Sequence, residues 1–107
     1  MNKINSMELF QVEAPEVAKA FNNLIQAIIA SKGLDEKTKQ LIYIAMKAAS
    51  GDETAVKFHA MMAKQLGATK AEVVDAILLS LTVSGIRGVA TCLPHVVDLF
   101  DTETGAK

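Results

Sequence analysis

His59 is the residue of this chain best suited to chemistry, because an imidazole titrates near neutrality and can give or take a proton at pH 7. It closes the segment Gly51-Asp52-Glu53-Thr54-Ala55-Val56-Lys57-Phe58-His59 and lies mid-stripe between Val56 and Met62. The ordinary alternative is a core or interface histidine held by one hydrogen bond. Asp52 precedes it by two helical turns on the same face, a rise of roughly 10 Å. The two could share a ligand but not hydrogen-bond directly. Asp52 is also fully explained as a helix N-cap, and Glu53 as an acid favoured by the helix dipole. Arg87, the only arginine, lies between Gly85 and Gly88. Its planar fork can grip a carboxylate, and an inter-subunit ion pair is its commoner use. Cys92 is the single cysteine. With no resolving partner in the chain it reads as an inert buried thiol, and residual redox activity with an external thiol is a weaker reading. His95 follows Pro94 and suits a helix start. His59 and His95 do not have metal-pair spacing, and no HxxxH, CxxC or clustered-carboxylate pattern occurs, so neither a metal nor a cofactor is expected.

These residues must be positioned by helices. After a mixed segment over residues 1–13, read as a short helix or an arm, Pro15 suits a first helical turn. Val17, Phe21, Leu24, Ile25, Ile28 and Ile29 then recur at helical spacing, and Gly33 is the expected stop. Asp35 can cap a second helix with Thr38, Leu41, Ile42, Ala45, Met46 and Ala49 on its inner face and Gly51 at its end. Asp52 can cap a third, lined by Ala55, Val56, His59, Met62, Ala63 and Leu66. Thr69-Lys70-Ala71-Glu72 is a capping box. The helix it starts carries apolar residues from Val73 to Val83 nearly all the way round, which predicts burial on more than one side. Gly85 and Gly88 predict a bend around Arg87. A last helical region begins near Val89, with Pro94 as a kink or fresh start and 102–107 as a frayed tail. The pattern predicts an all-α fold in one domain over residues 1–107.

Composition narrows the function classes. Half of the 107 residues are hydrophobic while the net charge is only −1. That apolar content exceeds what a domain of this size can hide, which favours subunit association. The scattered lysines give no footprint for nucleic acid and no basic face for a membrane. The stretch Val73–Val83 falls short of the roughly 18 residues of a membrane span. The polar start MNKINSMELF is not a signal peptide, and the lone cysteine fits a reducing cytosol, so a cytoplasmic protein is expected.

Three blocks resemble the carboxymuconolactone decarboxylase and AhpD-like family. Leu34-Asp35-Glu36-Lys37-Thr38-Lys39-Gln40-Leu41-Ile42 is similar to a family helix start. Ala48-Ala49-Ser50-Gly51, with His59 eight residues after the glycine, is similar to the family's GCxxCxxxH turn and helix. Leu66-Gly67-Ala68-Thr69-Lys70-Ala71-Glu72-Val73 is similar to a third. The resemblance covers residues 14–100. It implies an AhpD-like helical domain of about five to six helices that forms a homo-oligomer, a trimer or hexamer. The family's thiol peroxidases use a Glu, two Cys and a His, and Gln40, Asp52, Ala55 and His59 stand at those positions here. A peroxidase is therefore disfavoured, for want of a thiolate. The decarboxylase branch also lacks the CxxC pair and keeps the His. That branch implies a lyase-like protein that acts on or binds a small carboxylated, carbonyl-conjugated molecule. His59 would be the proton donor or acceptor, and Arg87, Gln40 and Asp52 would contact the substrate. Gln40 could instead orient His59 across two helices or be a polar surface residue. The alternative is a degenerate member that binds a small molecule or only assembles.

Overall fold

A computed structural model describes residues 5–105, and every regular element in that range is helical. Residues up to Gly33 form one compact unit and residues from Leu34 form another.

The first unit is a helical hairpin of α1 (Ser6–Glu13) and α2 (Pro15–Ala30). Asn5 and Glu8 start α1 with a reciprocal capping box: the Glu8 N–H donates to Asn5 Oδ1 over 2.8 Å, and the Asn5 N–H donates to Glu8 Oε1 over 3.3 Å. Pro15 then opens α2, where a missing N–H has no helical partner to lose. Phe10 and Phe21 meet edge to face across the hairpin, with centroids 5.9 Å apart. Ala18 is the buried residue of α2, while Val17, Leu24 and Ile29 of its apolar stripe stay exposed. The helix ends at Ala30 with Ser31 as its cap, before the expected glycine.

The second unit packs α3 (Glu36–Ala49), α4 (Glu53–Gln65), α5 (Lys70–Leu79), α6 (Leu81–Ser84) and α7 (Arg87–Gly105). The caps are those the residue types call for. Asp35 accepts from the Thr38 N–H at 2.7 Å and Asp52 from the Ala55 N–H at 3.1 Å. Thr69 and Glu72 exchange bonds of 3.1 and 2.9 Å. Each cap of this kind contributes about 1 kcal/mol. The core joins Ile44 and Ala48 of α3, Val56, Ala60 and Ala63 of α4, Val73, Ala76 and Ile77 of α5, and Cys92, Val96 and Phe100 of α7. Ion pairs clamp its edges, Lys37–Glu72 at 3.1 Å and Lys70–Asp101 at 2.8 Å, and His95 Nε2 lies 2.9 Å from a Glu53 carboxylate oxygen.

Several expectations about the faces are corrected. On α3 the buried residues are Ile44 and Ala48, while Ile42 and Met46 are exposed. On α4 they are Val56, Ala60 and Ala63, and Leu66 is exposed. Ala48, Ala60 and Ala63 turn inward with Ile44 and Val56, while the flexible Met46 and Met61 stay exposed. The apolar run after Thr69 is not one helix buried all round. It breaks at Ser80, whose buried hydroxyl donates to the Ile77 carbonyl over 2.7 Å. Leu79, the last residue before the break, and Val83, beyond it, are 62% and 78% exposed. Gly85, with φ of 77°, makes the bend alone. Gly88 is not part of the bend but lies inside α7. Pro94 neither ends nor restarts α7, which runs on to Gly105, so 102–105 are helical and only Ala106 and Lys107 of the expected tail lie outside the described residues.

Gly88 is where α7 crosses α3. A Cβ there would fall 2.1 Å from the Ala48 carbonyl oxygen and 3.3 Å from Ser80 Oγ. The contact at Ala48 is backbone and cannot swing away, so Gly88→Ala must move a helix. The expected loss is about 1–3 kcal/mol in urea unfolding. Gly33→Ala, where nothing lies within 4 Å of the added Cβ, should stay within about 0.5 kcal/mol of wild type.

Candidate functional site

The site is built on the facing surfaces of α3 and α4. Gln40, Tyr43 and Lys47 follow one another at three- and four-residue steps along one stripe of α3. His59 comes from the second turn of α4 and is half-buried. Gln40 Oε1 lies 2.7 Å from His59 Nδ1. An amide oxygen only accepts, so Nδ1–H donates, and in the neutral ring Nε2 then carries the lone pair. The Tyr43 ring stacks on the imidazole, with centroids 5.0 Å apart and planes 19° from parallel. Phe58 meets it edge-on at 5.3 Å. The ring is therefore held in tilt by two aromatics and in rotation by one hydrogen bond.

Of the residues singled out in the sequence, the structure brings Gln40 and His59 together. Asp52 does not hydrogen-bond His59. One of its oxygens caps α4 and the other lies 3.9 Å from Lys47 Nζ. Arg87 stands at the start of α7 with its guanidinium laid over the Gly51 turn, where an added Cβ would meet Nη2 at 3.2 Å and Nε at 3.3 Å. Gly51 also has φ of 75°, a backbone conformation that favours glycine. Among the described residues the guanidinium has no hydrogen-bond or ion-pair partner. His95 is taken up by Glu53. Cys92 is fully buried in the core, and burial first, then Glu53 and Asp52, push its thiol pKa up. No group of three or more potential metal ligands occurs among the described residues. No described helix is long and apolar enough to cross a membrane.

Two clefts lie close by without including His59, Gln40 or Arg87. One of about 390 Å³ runs between α3 and α5 over Leu41, Ala45 and Leu79. One of about 180 Å³ lies between α4 and α7 beside Lys57, Met61 and His95. Sequence reasoning missed Tyr43 and Phe58 as walls of the site. The signal was present: Tyr43 is one turn from Gln40 on the same helix face, and Phe58 is adjacent to His59.

Burial is the main cause that holds the His59 pKa below its usual 6.5; Lys47 adds to it and Asp52 opposes it. The folded protein therefore takes up this proton less readily than the unfolded chain. This contribution to stability is fully present above pH 6.5 and is lost as pH falls toward and through the folded-state value. Between about pH 7.5 and about pH 5, wild type should lose more urea stability than His59→Gln, which lacks the titrating group. An equal loss in the two proteins would contradict the assignment.

Comparison with known sequences agrees with this architecture. The sequence model of the carboxymuconolactone decarboxylase family matches residues 15–98. An uncharacterised protein of Methanocaldococcus jannaschii is 35% identical over 72 residues, 67% of this chain and 67% of that protein. A second uncharacterised protein of the same organism is 32% identical over 81 residues, 75% of this chain and 78% of its own length. The matched region spans the α3–α4 pair, Gln40, His59 and Arg87, and the chain belongs to the carboxymuconolactone decarboxylase family.

Proposed function

We propose that this protein acts on a small carboxylated, carbonyl-conjugated molecule, with His59 as its proton-transferring group and Arg87 as the carboxylate anchor. The observation that carries this reading is the 2.7 Å bond between Gln40 and His59. A histidine with one nitrogen committed to a protein partner and the other left for a ligand is arranged as a general acid or base. The Tyr43 and Phe58 rings keep that second nitrogen in a fixed direction. Arg87 supports the carboxylate side of the proposal, because it offers two parallel donors and has no protein acid to neutralise it among the described residues. Asp52 is engaged by its cap and by Lys47, so its part is to bias the charge of His59 rather than to hold a ligand.

A thiol-peroxidase activity has no support at this site. Asp52 and Ala55 supply no sulfur, and Cys92 is fully buried and held protonated. The second reading is binding or assembly without catalysis. It is favoured by the engagement of Asp52 and by the two clefts that bypass His59.

The test is turnover and binding across a panel of small keto carboxylates. His59→Ala should reduce turnover by about 100-fold or more while leaving affinity nearly unchanged. Arg87→Leu should weaken affinity. If His59→Ala binds and turns over every active compound as well as wild type, the proposal fails.

The protein is also proposed to be a homo-oligomer, a trimer or hexamer. Support comes from the large apolar side chains left at the surface of a single chain, among them Val17, Leu24, Phe58, Leu79, Val83 and Ile86. Sedimentation should give a mass several times that of the chain, and Val83→Glu combined with Ile86→Glu should lower it. A monomer at micromolar concentration would contradict this.

A further inference from the structure

We propose that Gln40 makes His59 a base rather than an acid, which suits the site to removing a proton from a carbon next to a carbonyl and not to protonating the carbanion left by loss of CO₂. The inference rests on the reading of His59 as the proton-transferring group, and it assigns the direction of transfer.

The argument starts from the partner's charge. Gln40 Oε1 accepts from Nδ1–H at 2.7 Å, which in the neutral ring selects the tautomer with its lone pair on Nε2. A carboxylate in the same place would do this too, and would also stabilise the imidazolium, raising its pKa by about 1–3 units. The amide orients the ring without adding that charge. The remaining surroundings come from α3 and α4. Lys47 on α3 and the half-burial of the ring both disfavour a second proton. Asp52, at the cap of α4, favours it, but its carboxylate is shared with the Ala55 N–H and Lys47. Tyr43 stacks on the ring face and Phe58 meets its edge, and neither contributes a charge.

The step this arrangement supports is balanced within the substrate. The Nε2 lone pair takes the proton from the carbon α to the carbonyl, and the C–H electron pair moves into the carbonyl to give an enolate. The imidazolium so formed then returns the proton to the far end of the conjugated system. The double bond shifts and neither oxidant nor reductant is consumed. The substrate class is a carboxylate whose double bond is in, or can enter, conjugation with a carbonyl, and the reaction class is isomerisation or α-proton exchange.

The test has two readouts. Long-range ¹H–¹⁵N NMR of histidine-labelled protein, assigned with His59→Gln, should show the Nδ1–H tautomer with Nε2 unprotonated at pH 7. In Gln40→Glu the His59 titration midpoint should rise by about one pH unit or more, a tenfold change in protonation constant. An Nε2–H tautomer or an imidazolium in wild type at pH 7 overturns the proposal, as does an unmoved midpoint in Gln40→Glu. The chain has two histidines, so His95→Gln gives the same assignment should His59→Gln fail to fold.

The second readout uses 4-oxo-2-pentenoate in D₂O, whose methyl protons lie α to the ketone. Wild type should exchange them faster than buffer, His59→Gln should not, and Gln40→Glu should exchange them several-fold more slowly at pH 7. Absence of His59-dependent exchange overturns the carbon-acid step. The tautomer arm depends on no ligand. An Nε2–H tautomer in a protein that still turns over keto carboxylates through His59 would therefore overturn this inference alone. The expected tautomer with no ligand handled would overturn the functional reading instead.

Discussion

The approach of α7 to α3 at Gly88 is the constraint from which much of the second unit follows. With no side chain at that point, the backbone of α7 lies against the Ala48 carbonyl and the buried Ser80 hydroxyl. The crossing sets where α7 begins, and so places Arg87 over the Gly51 turn one residue earlier. It also brings Cys92, Val96 and Phe100 down onto the core in successive turns. A tight crossing demands small neighbours, and the core uses Ala48, Ala60, Ala63 and Ala76. Close packing of this kind tolerates little change in volume. The α3–α4 pair that carries the candidate site is thereby held from behind by a rigid helix, the support a proton-transfer site needs.

Within that frame the site is simple in composition and specific in charge. One imidazole is positioned by a neutral amide, two aromatic rings and a partly buried wall. The acid and the two sulfurs that resemblance to the family's thiol enzymes calls for are replaced by Gln40, Asp52 and Ala55. The consequence is a change in kind. In place of the thiol relay that the resemblance implies, this chain has a single imidazole whose neutral form is favoured by burial and by Lys47. Cys92 does not supply a thiolate, because burial first and then the charges of Glu53 and Asp52 push its pKa up.

The all-helical fold and the caps were legible in the sequence because they depend on local chemistry. Asp35, Asp52 and the Thr69–Glu72 pair act on backbone groups three residues away, and a reader of the sequence sees both partners. The rotation of each helix was less legible. Apolar spacing gave the period of α3 and α4 but not which edge of a broad stripe turns inward, since that depends on partners distant in sequence. The break at Ser80 was hidden inside an apolar run, since a serine bonds back to a carbonyl without any flanking signal. Gly88 read as a turn glycine because Gly85 lies so near. Only a contact distant in sequence, at Ala48, gives it its role. At the site, the sequence left three readings for Gln40, as a substrate contact, as an orienter of His59 or as a polar surface residue, and its Oε1 lies 2.7 Å from His59 Nδ1. Tyr43 was overlooked because its ring is neither acidic nor basic, although its spacing from Gln40 put it on the same face.

The measurement that bears most directly on the central claim, a ligand-facing proton-transfer site at His59, is a crystal structure of the natural assembly soaked with a small keto carboxylate. The account predicts a solvent-reachable cavity that contains His59 Nε2, with the ligand's carboxylate on Arg87 and its carbonyl-adjacent carbon within reach of that nitrogen. An Nε2 packed against apolar atoms with no cavity beside it would contradict the account. His59 would then be a structural histidine, and the chain an assembly that keeps its family's fold without its chemistry.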